Sequence, residues 1–444
     1  MVNVAGIINA IPNMDRKAHQ RVRENTRVWA GVYFFVALAA ALAMALLTPP
    51  LQVPDEHQHF YRAFQLSEGD WRGANVGGAQ GAELPDSLGR LADDFLGSRR
   101  LHIIPRQIRE FPWRDTVSEL AKPLEPSERV FLDFSNAAIY SPVPYAPQIV
   151  GISVARWLGG GALWALYGAR LANALASVAL AAIAIRLFPY RKAMLATFAA
   201  MPMVLWLFGS ASPDALLISG SMLLVSVVTR AAAAGRWSIA ELVLAAALGA
   251  AICSFKPVYA PLLLLGYPTL VKARGFKYAT LVHGGLLAAS AAATIVWFSA
   301  LAPHIVYVRE GADASAQISA ILAHPLSYAR VLVNTISGYY PLMLTFQFIG
   351  IFGWLNVPMP VEIYLLAVLL LVSTCIVFRT DERSSPIEAT WSLVLLAITF
   401  VLVATSQYLF WTMVGSDHIE GIQGRYLLPT IGLLAVTASA SPLI

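Results

Sequence analysis

Charge is scarce in this chain. Asp, Glu, Lys and Arg make up 13% of its 444 residues, about half the share of a soluble domain, which excludes an ordinary soluble fold. Cysteine is nearly absent. The two present, Cys253 and Cys375, sit in or beside apolar runs, which argues against a disulfide framework and a thiolate metal site. No Walker loop, Rossmann fingerprint or zinc-protease motif occurs, so a nucleotide-driven pump or an enzyme using a cytoplasmic nucleotide donor is disfavoured. No cleavable signal peptide is expected, because the first apolar run lacks a small-residue cleavage site before Pro49-Pro50. A strict internal repeat is also lacking. The Ala-rich stretches 171–183 and 231–251 suit close helix packing instead.

What is present is apolar sequence, 57% of the chain, in long runs over almost its whole length. That pattern predicts an all-α polytopic membrane protein. The net charge of +5 comes from short basic clusters between the runs, as membrane topology produces, and does not suggest nucleic acid. Arg16, Lys17, Arg21, Arg23 and Arg27 place residues 1–27 in the cytoplasm by the positive-inside rule. The first span, 28–48, then exits, and 49–164 forms a large external loop. Within it, 144–158 is too short to cross and reads as an interfacial helix. This choice leaves Arg191-Lys192 and Lys272-Arg274-Lys277 inside; a spanning 144–158 would put them outside. A bundle follows over 165–301, with spans at 165–187, 194–209, 214–231, 238–254, 258–272 and 278–301. Residues 302–359 form a second external segment, and 360–444 holds the last spans, 360–379, 389–412 and 425–442. The total is about ten spans.

The polar groups fall on one side of this layout. Directly after the first span comes Pro49-Pro50-Leu51-Gln52-Val53-Pro54-Asp55-Glu56-His57-Gln58-His59-Phe60-Tyr61-Arg62. Pro54 and the two acids suit a helix start, and Asp55, His59 and Arg62 then share a face. A carboxylate, an imidazole and a guanidinium there can handle a proton and a phosphate together; a solvated helix start has the same composition. Lys256 and Arg425 stand at span ends, where a cation is costly unless it meets an anion such as a lipid phosphate or snorkels to the surface. Asp214, after Ser212-Pro213, also reads as a helix cap, and Asp417 and His418 as loop residues. Arg99, Arg100, His102, Arg106, Arg109 and Arg114 suit anionic head groups or an anionic glycan, or a solvated face. His283 and His324 have no metal-ligand neighbours in sequence.

Taken together, Pro49 to His59, Ser212-Pro213-Asp214-Ala215-Leu216, Phe255-Lys256-Pro257-Val258-Tyr259, Phe352-Gly353-Trp354-Leu355 and Gln423-Gly424-Arg425-Tyr426 resemble a bacterial family of predicted membrane proteins. It is the domain of unknown function numbered two thousand one hundred and forty-two. That family is similar in layout to the C-type (GT-C) membrane glycosyltransferases, which take a sugar from a polyprenyl-phosphate carrier on the outer leaflet. The resemblance implies a bacterial inner-membrane protein with an outward-facing site and Asp55 at the catalytic acidic position. It also implies that Tyr140-Ser141-Pro142-Val143-Pro144-Tyr145 opens the second interfacial helix, with Ser141-Pro142 where many such enzymes carry His-Pro-Pro.

The expected chemistry is transfer of a sugar from a polyprenyl-phosphate donor to a glycan or lipid acceptor. Asp55 is the expected base, with Glu56 or His59 orienting it or binding the acceptor. Lys256 and Arg425 would neutralise the leaving phosphate, and Arg62, Tyr140 and Asp214 complete the expected substrate-binding set. No cofactor is required, and a divalent metal on Asp55, Glu56, His57 and His59 stays open. The rivals are a lipid-linked glycan transporter and a non-catalytic partner in envelope-polymer assembly.

Overall fold

The computed structural model describes residues 26–97, 113–301, 309, 311–337, 340–377 and 383–440. The N-terminal cations Arg16 to Arg23, the basic residues Arg99 to Arg109 and the charges Arg379, Asp381 and Glu382 lie outside the described residues. Helix dominates. Five helices are long and apolar enough to cross a bilayer: Val28–Leu47, Ala162–Leu187, Asp214–Ala233, Phe276–Leu301 and Pro386–Phe410. Asp214–Ala233 has 89% of its apolar window buried, against 17% for Phe276–Leu301. The first is therefore the axis of the bundle and the second its lipid-facing edge.

The other stretches expected to span are shorter or broken. Ile239–Phe255 and Val361–Val377 have 17 residues each. The run 194–209 divides into Lys192–Ala199 and Pro202–Phe208, because Pro202 lacks an N–H and pushes Met201 out of the helical region. The run 258–272 begins as a 3-10 turn, Pro257–Leu264, and resumes as Tyr267–Arg274. The last run is a 3-10 turn, Gly424–Thr430, followed by Ile431–Ala440. Hydropathy counts the broken runs as apolar segments, but the prolines inside those three remove the donors a continuous helix needs.

The loop after the first span is not purely helical. It contains an antiparallel sheet of β1 (Ala74–Val76), β2 (Ala79–Pro85) and β3 (Arg129–Asp133), with Gly81 opposite both Ala74 and Asp133. Two helices pack with the sheet. Glu56–Ser67 contributes Phe60 and Phe64, and Asp86–Leu96 contributes Leu88, Leu91, Ala92 and Phe95 at helical spacing, closing a core over Leu84, Leu132 and Phe134. The twelve-residue helix Ala146–Trp157 is too short for a span. It lies between Glu56–Ser67 and Ala162–Leu187. Gly151 and Gly168 make that crossing possible: a Cβ on Gly151 would sit 2.0 Å from the Gly168 carbonyl oxygen.

At the end of the bundle away from this loop, Arg191 is buried. It donates to the carbonyls of Cys375 (3.4 Å) and Ala438 (3.5 Å), so it closes two helix ends rather than standing in water. His283 is a core histidine, its Nδ1 2.6 Å from the Leu263 carbonyl oxygen. Cys253 and Cys375 are free thiols.

Candidate functional site

The prolines after Leu47 stop the first helix, and the chain crosses to the next one through a strained loop. Leu51 and Asp55 both hold left-handed backbone angles, with φ of 63° and 62°. Such angles cost a non-glycine residue about 1–3 kcal/mol and persist only where neighbours enforce them. Here the enforcement comes from Glu56 and Arg170, both fully buried. Arg170 Nε and Nη2 grip the Glu56 carboxylate at 2.9 and 2.6 Å. Its remaining N–H groups reach the carbonyls of Ala45 (2.9 Å), Thr48 (2.7 Å) and Pro49 (3.0 Å). Every donor of the guanidinium is thus used. The Ala211 amide also donates to Glu56, at 2.9 Å, which ties in the turn before Asp214.

Asp55 emerges from this clamp at the head of Glu56–Ser67, with no capping bond from its side chain. Its carboxylate instead accepts from Arg425 Nη2 at 3.0 Å. Arg425 belongs to Gln423-Gly424-Arg425-Tyr426, and each residue of that motif has a task. Gln423 accepts from Arg425 Nε at 2.6 Å. Gly424 lets the turn press on the helix Tyr340–Gly350, since a Cβ there would meet the Leu344 carbonyl oxygen. Tyr426 offers its carbonyl to the Tyr259 hydroxyl at 2.7 Å and its ring to both Arg425 and Lys256.

Lys256 forms the second ion pair, 2.6 Å from Asp214 Oδ1. Its ammonium lies 4.9–5.7 Å from the ring centres of Phe255, Tyr426 and Tyr140, a cation–π setting. Asp214 opens its helix, with its own amide held by Ser212 Oγ, so Ser212 supplies the cap and the aspartate carboxylate faces Lys256. Of these four charged side chains Asp55 is the most open, at 31% exposed against 3% for Arg425. Lys256 and Asp214 lie between, at 19% and 10%.

His59 joins the two pairs. Its Nδ1 lies 2.9 Å from the Tyr145 hydroxyl and its ring stacks on Tyr140. Burial pushes its pKa down to about 4 against the opposing pull of Asp55 and Asp214, so it is a neutral imidazole at pH 7. His57, on the other side of the helix, is likewise pushed down to about 4 by burial. It faces the rings of Tyr61 and Trp354. Arg62 is fully buried and spends its guanidinium on Gln65 (2.6 Å) and on the carbonyls of Trp71 (3.0 Å) and Tyr140 (3.3 Å).

Asp55, His59, Tyr140, Asp214, Lys256 and Arg425 therefore converge from five chain segments. Glu56 and Arg62 support them from inside the protein. Asp417 and His418 pair with each other at 2.8 Å on an exposed loop. Arg170, Tyr145, Gln423 and Tyr426 were missed as site residues. Tyr145, Gln423 and Tyr426 lie inside the sequence motifs quoted above, and the sequence signal for Arg170 is an arginine in mid-span, which is a functional or structural marker in its own right. Among the described residues no group of three or more His, Cys, Asp or Glu side chains is gathered as a metal ion requires.

A family model described as "Predicted membrane protein (DUF2142)" matches residues 37–434. No curated protein and no solved structure matches the chain.

Proposed function

The chain belongs to this DUF2142 family of predicted membrane proteins, and from that premise we propose that it is a membrane glycosyltransferase. It moves a sugar from a polyprenyl-phosphate donor to a glycan or lipid acceptor on the outer face of the bacterial inner membrane. The observation that carries this reading is the meeting of a half-open carboxylate, Asp55, with two cations at span ends, Lys256 and Arg425. That is the minimum set for taking a hydroxyl proton and stabilising a departing phosphate.

At rest the two carboxylates and two cations of the site cancel. An arriving phosphate competes for the Arg425 fork and the Lys256 ammonium, which releases Asp55 from its partner. Asp55 then takes the acceptor hydroxyl proton. The acceptor oxygen bonds to the anomeric carbon as the bond from that carbon to the phosphate oxygen breaks. The electron pair leaves on the phosphate, and the anomeric centre inverts. His59, neutral at pH 7, orients Tyr145 and Tyr140 beside the reacting groups. Glu56 is a positioning residue, since both its oxygens are engaged. A transporter reading has one specific support, the broken helices. Against it, Asp55, Asp214, Lys256 and Arg425 sit at or beside element ends rather than in mid-helix.

Donor binding tests the cations. Arg425→Lys keeps the charge but loses the planar fork, and should weaken binding of a polyprenyl-phosphate sugar about tenfold; Arg425→Ala should weaken it further. Parental binding by both variants would reduce Arg425 to a structural partner of Asp55.

The proposed layout has ten passes, with the short and broken helices as spans, a cytoplasmic N-terminus and an interfacial Ala146–Trp157. It predicts a labelling pattern in a background lacking Cys253 and Cys375. Cysteines at the exposed positions of Val76 and Asp417 should react with an impermeant maleimide in intact cells. One at exposed Lys272 should react only after lysis. Labelling at 272 in intact cells would invert the layout.

A further inference from the structure

His57 has no part in the chemistry above. Two residues along a helix turn a side chain by about 200°, so His57 points away from His59 and the ion pairs. It meets the tip of a small hairpin, β4 (Ile351–Phe352) and β5 (Val357–Pro358), where Trp354 lies with its ring centre 6.0 Å from that of His57. Both side chains carry an unmet polar atom. His57 Nδ1 and Trp354 Nε1 are buried, and neither has a hydrogen-bond partner. A buried group left in that state disfavours the folded chain unless a ligand or water satisfies it. The backbone that presents Trp354 turns through left-handed angles on both sides, freely at Gly353 (φ 60°) and with strain at Leu355 (φ 62°). The hairpin is also fastened to the site. Phe352 packs on Trp206 at 5.0 Å between ring centres, and Trp206 Nε1 donates to Thr48 Oγ1 at 3.0 Å in the loop that leads to Asp55.

The two orphan atoms match one kind of group. An indole N–H only donates, whereas a neutral imidazole nitrogen can accept. A hydroxyl that accepts from Trp354 and donates to His57 satisfies both at once. We infer that His57 and Trp354 form a saccharide-binding subsite, with a sugar hydroxyl bridging the two rings, on the side of the helix start away from Lys256. Asp55 heads the same helix two residues before His57, which ties the subsite to the loop that bears the proposed base. The subsite rests on the transferase reading for its role as the acceptor side, but the binding of a sugar does not.

The test uses the full chain in lipid nanodiscs free of sugar detergent. The probes are methyl α-D-mannopyranoside, methyl β-D-glucopyranoside and methyl α-D-arabinofuranoside, followed by saturation-transfer NMR. At least one should bind the parent. His57→Ala should abolish that binding. Trp354→Phe, which keeps a ring and removes only the N–H, should weaken it about tenfold. No binding by any probe, or parental binding by Trp354→Phe, would overturn the subsite and leave the two atoms to a trapped water. Glycoside binding without transfer from a polyprenyl-phosphate sugar would sink the transferase reading and spare the subsite. Transfer with glycoside binding unaltered in both variants would do the reverse.

Discussion

Replacing Asp55 by asparagine is expected to lower sugar transfer by a factor of about 10²–10⁴, the usual loss when a general base is removed. The substitution isolates the proton chemistry because little else changes. Asparagine tolerates the left-handed backbone that Asp55 adopts better than most residues do. Its amide oxygen can still accept from Arg425, so the chain should insert and fold as before. The informative readout is a split. With the Asp55 carboxylate gone, Arg425 loses its hydrogen-bonded counter-ion, so an anionic donor should bind at least as well as in the parent while transfer collapses. Glycosyl transfer and donor binding measured on the same reconstituted protein give both numbers. Parental transfer by a normally expressed Asp55→Asn protein would remove Asp55 from the mechanism and shift the weight to a transporter or a non-catalytic partner.

The second large effect concerns stability. Arg170→Met should cost about 3–5 kcal/mol, the range for breaking a buried ion pair by removing one partner. It leaves the Glu56 carboxylate buried without its cation and strips the carbonyls of Ala45, Thr48 and Pro49 of their donor. Against a total of about 5–15 kcal/mol for a typical fold, that is enough to lower the unfolding temperature sharply or abolish expression. Glu56→Gln should destabilise less, because glutamine still offers an oxygen. The double variant should cost less than the sum of the two, which marks direct coupling. Thermal unfolding of the four proteins in one detergent checks the cycle. A stable but inactive Glu56→Gln protein would make Glu56 a reacting group after all.

The charged residues of the candidate site are legible in the sequence for a physical reason. In an apolar chain each charge is expensive, so Asp55, Asp214, Lys256 and Arg425 stand out against their surroundings. Their pairing was not legible. Asp55 and Arg425 lie 370 positions apart, and no local pattern says which anion meets which cation. Glu56 and Asp55 are neighbours of the same chemical type with opposite fates. One is sealed against Arg170 and the other faces Arg425 with part of its surface open. Periodicity cannot separate them, because the left-handed turn at Asp55 sets their directions. The fold was legible where runs were long and free of proline. It failed at β2, whose Ala-Gln-Gly-Ala-Glu-Leu-Pro sequence has no β-branched residue to signal a strand, and at the proline-broken helices.

The distance between the two partners of Asp55 and Glu56 also sets an order of events during synthesis. Glu56 meets Arg170 only 114 positions later. At roughly 5–20 residues per second, a ribosome supplies that arginine in roughly 6–23 seconds. Arg425 follows Asp55 by 370 positions, which takes roughly 20–75 seconds at the same pace. The loop that bears the carboxylate is thus locked to the nascent bundle early, and its guanidinium partner arrives long after Arg170. A nascent chain paused before Gly424–Thr430 already has Asp55 in its constrained position but no Arg425, so the charge balance of the site waits on that one turn.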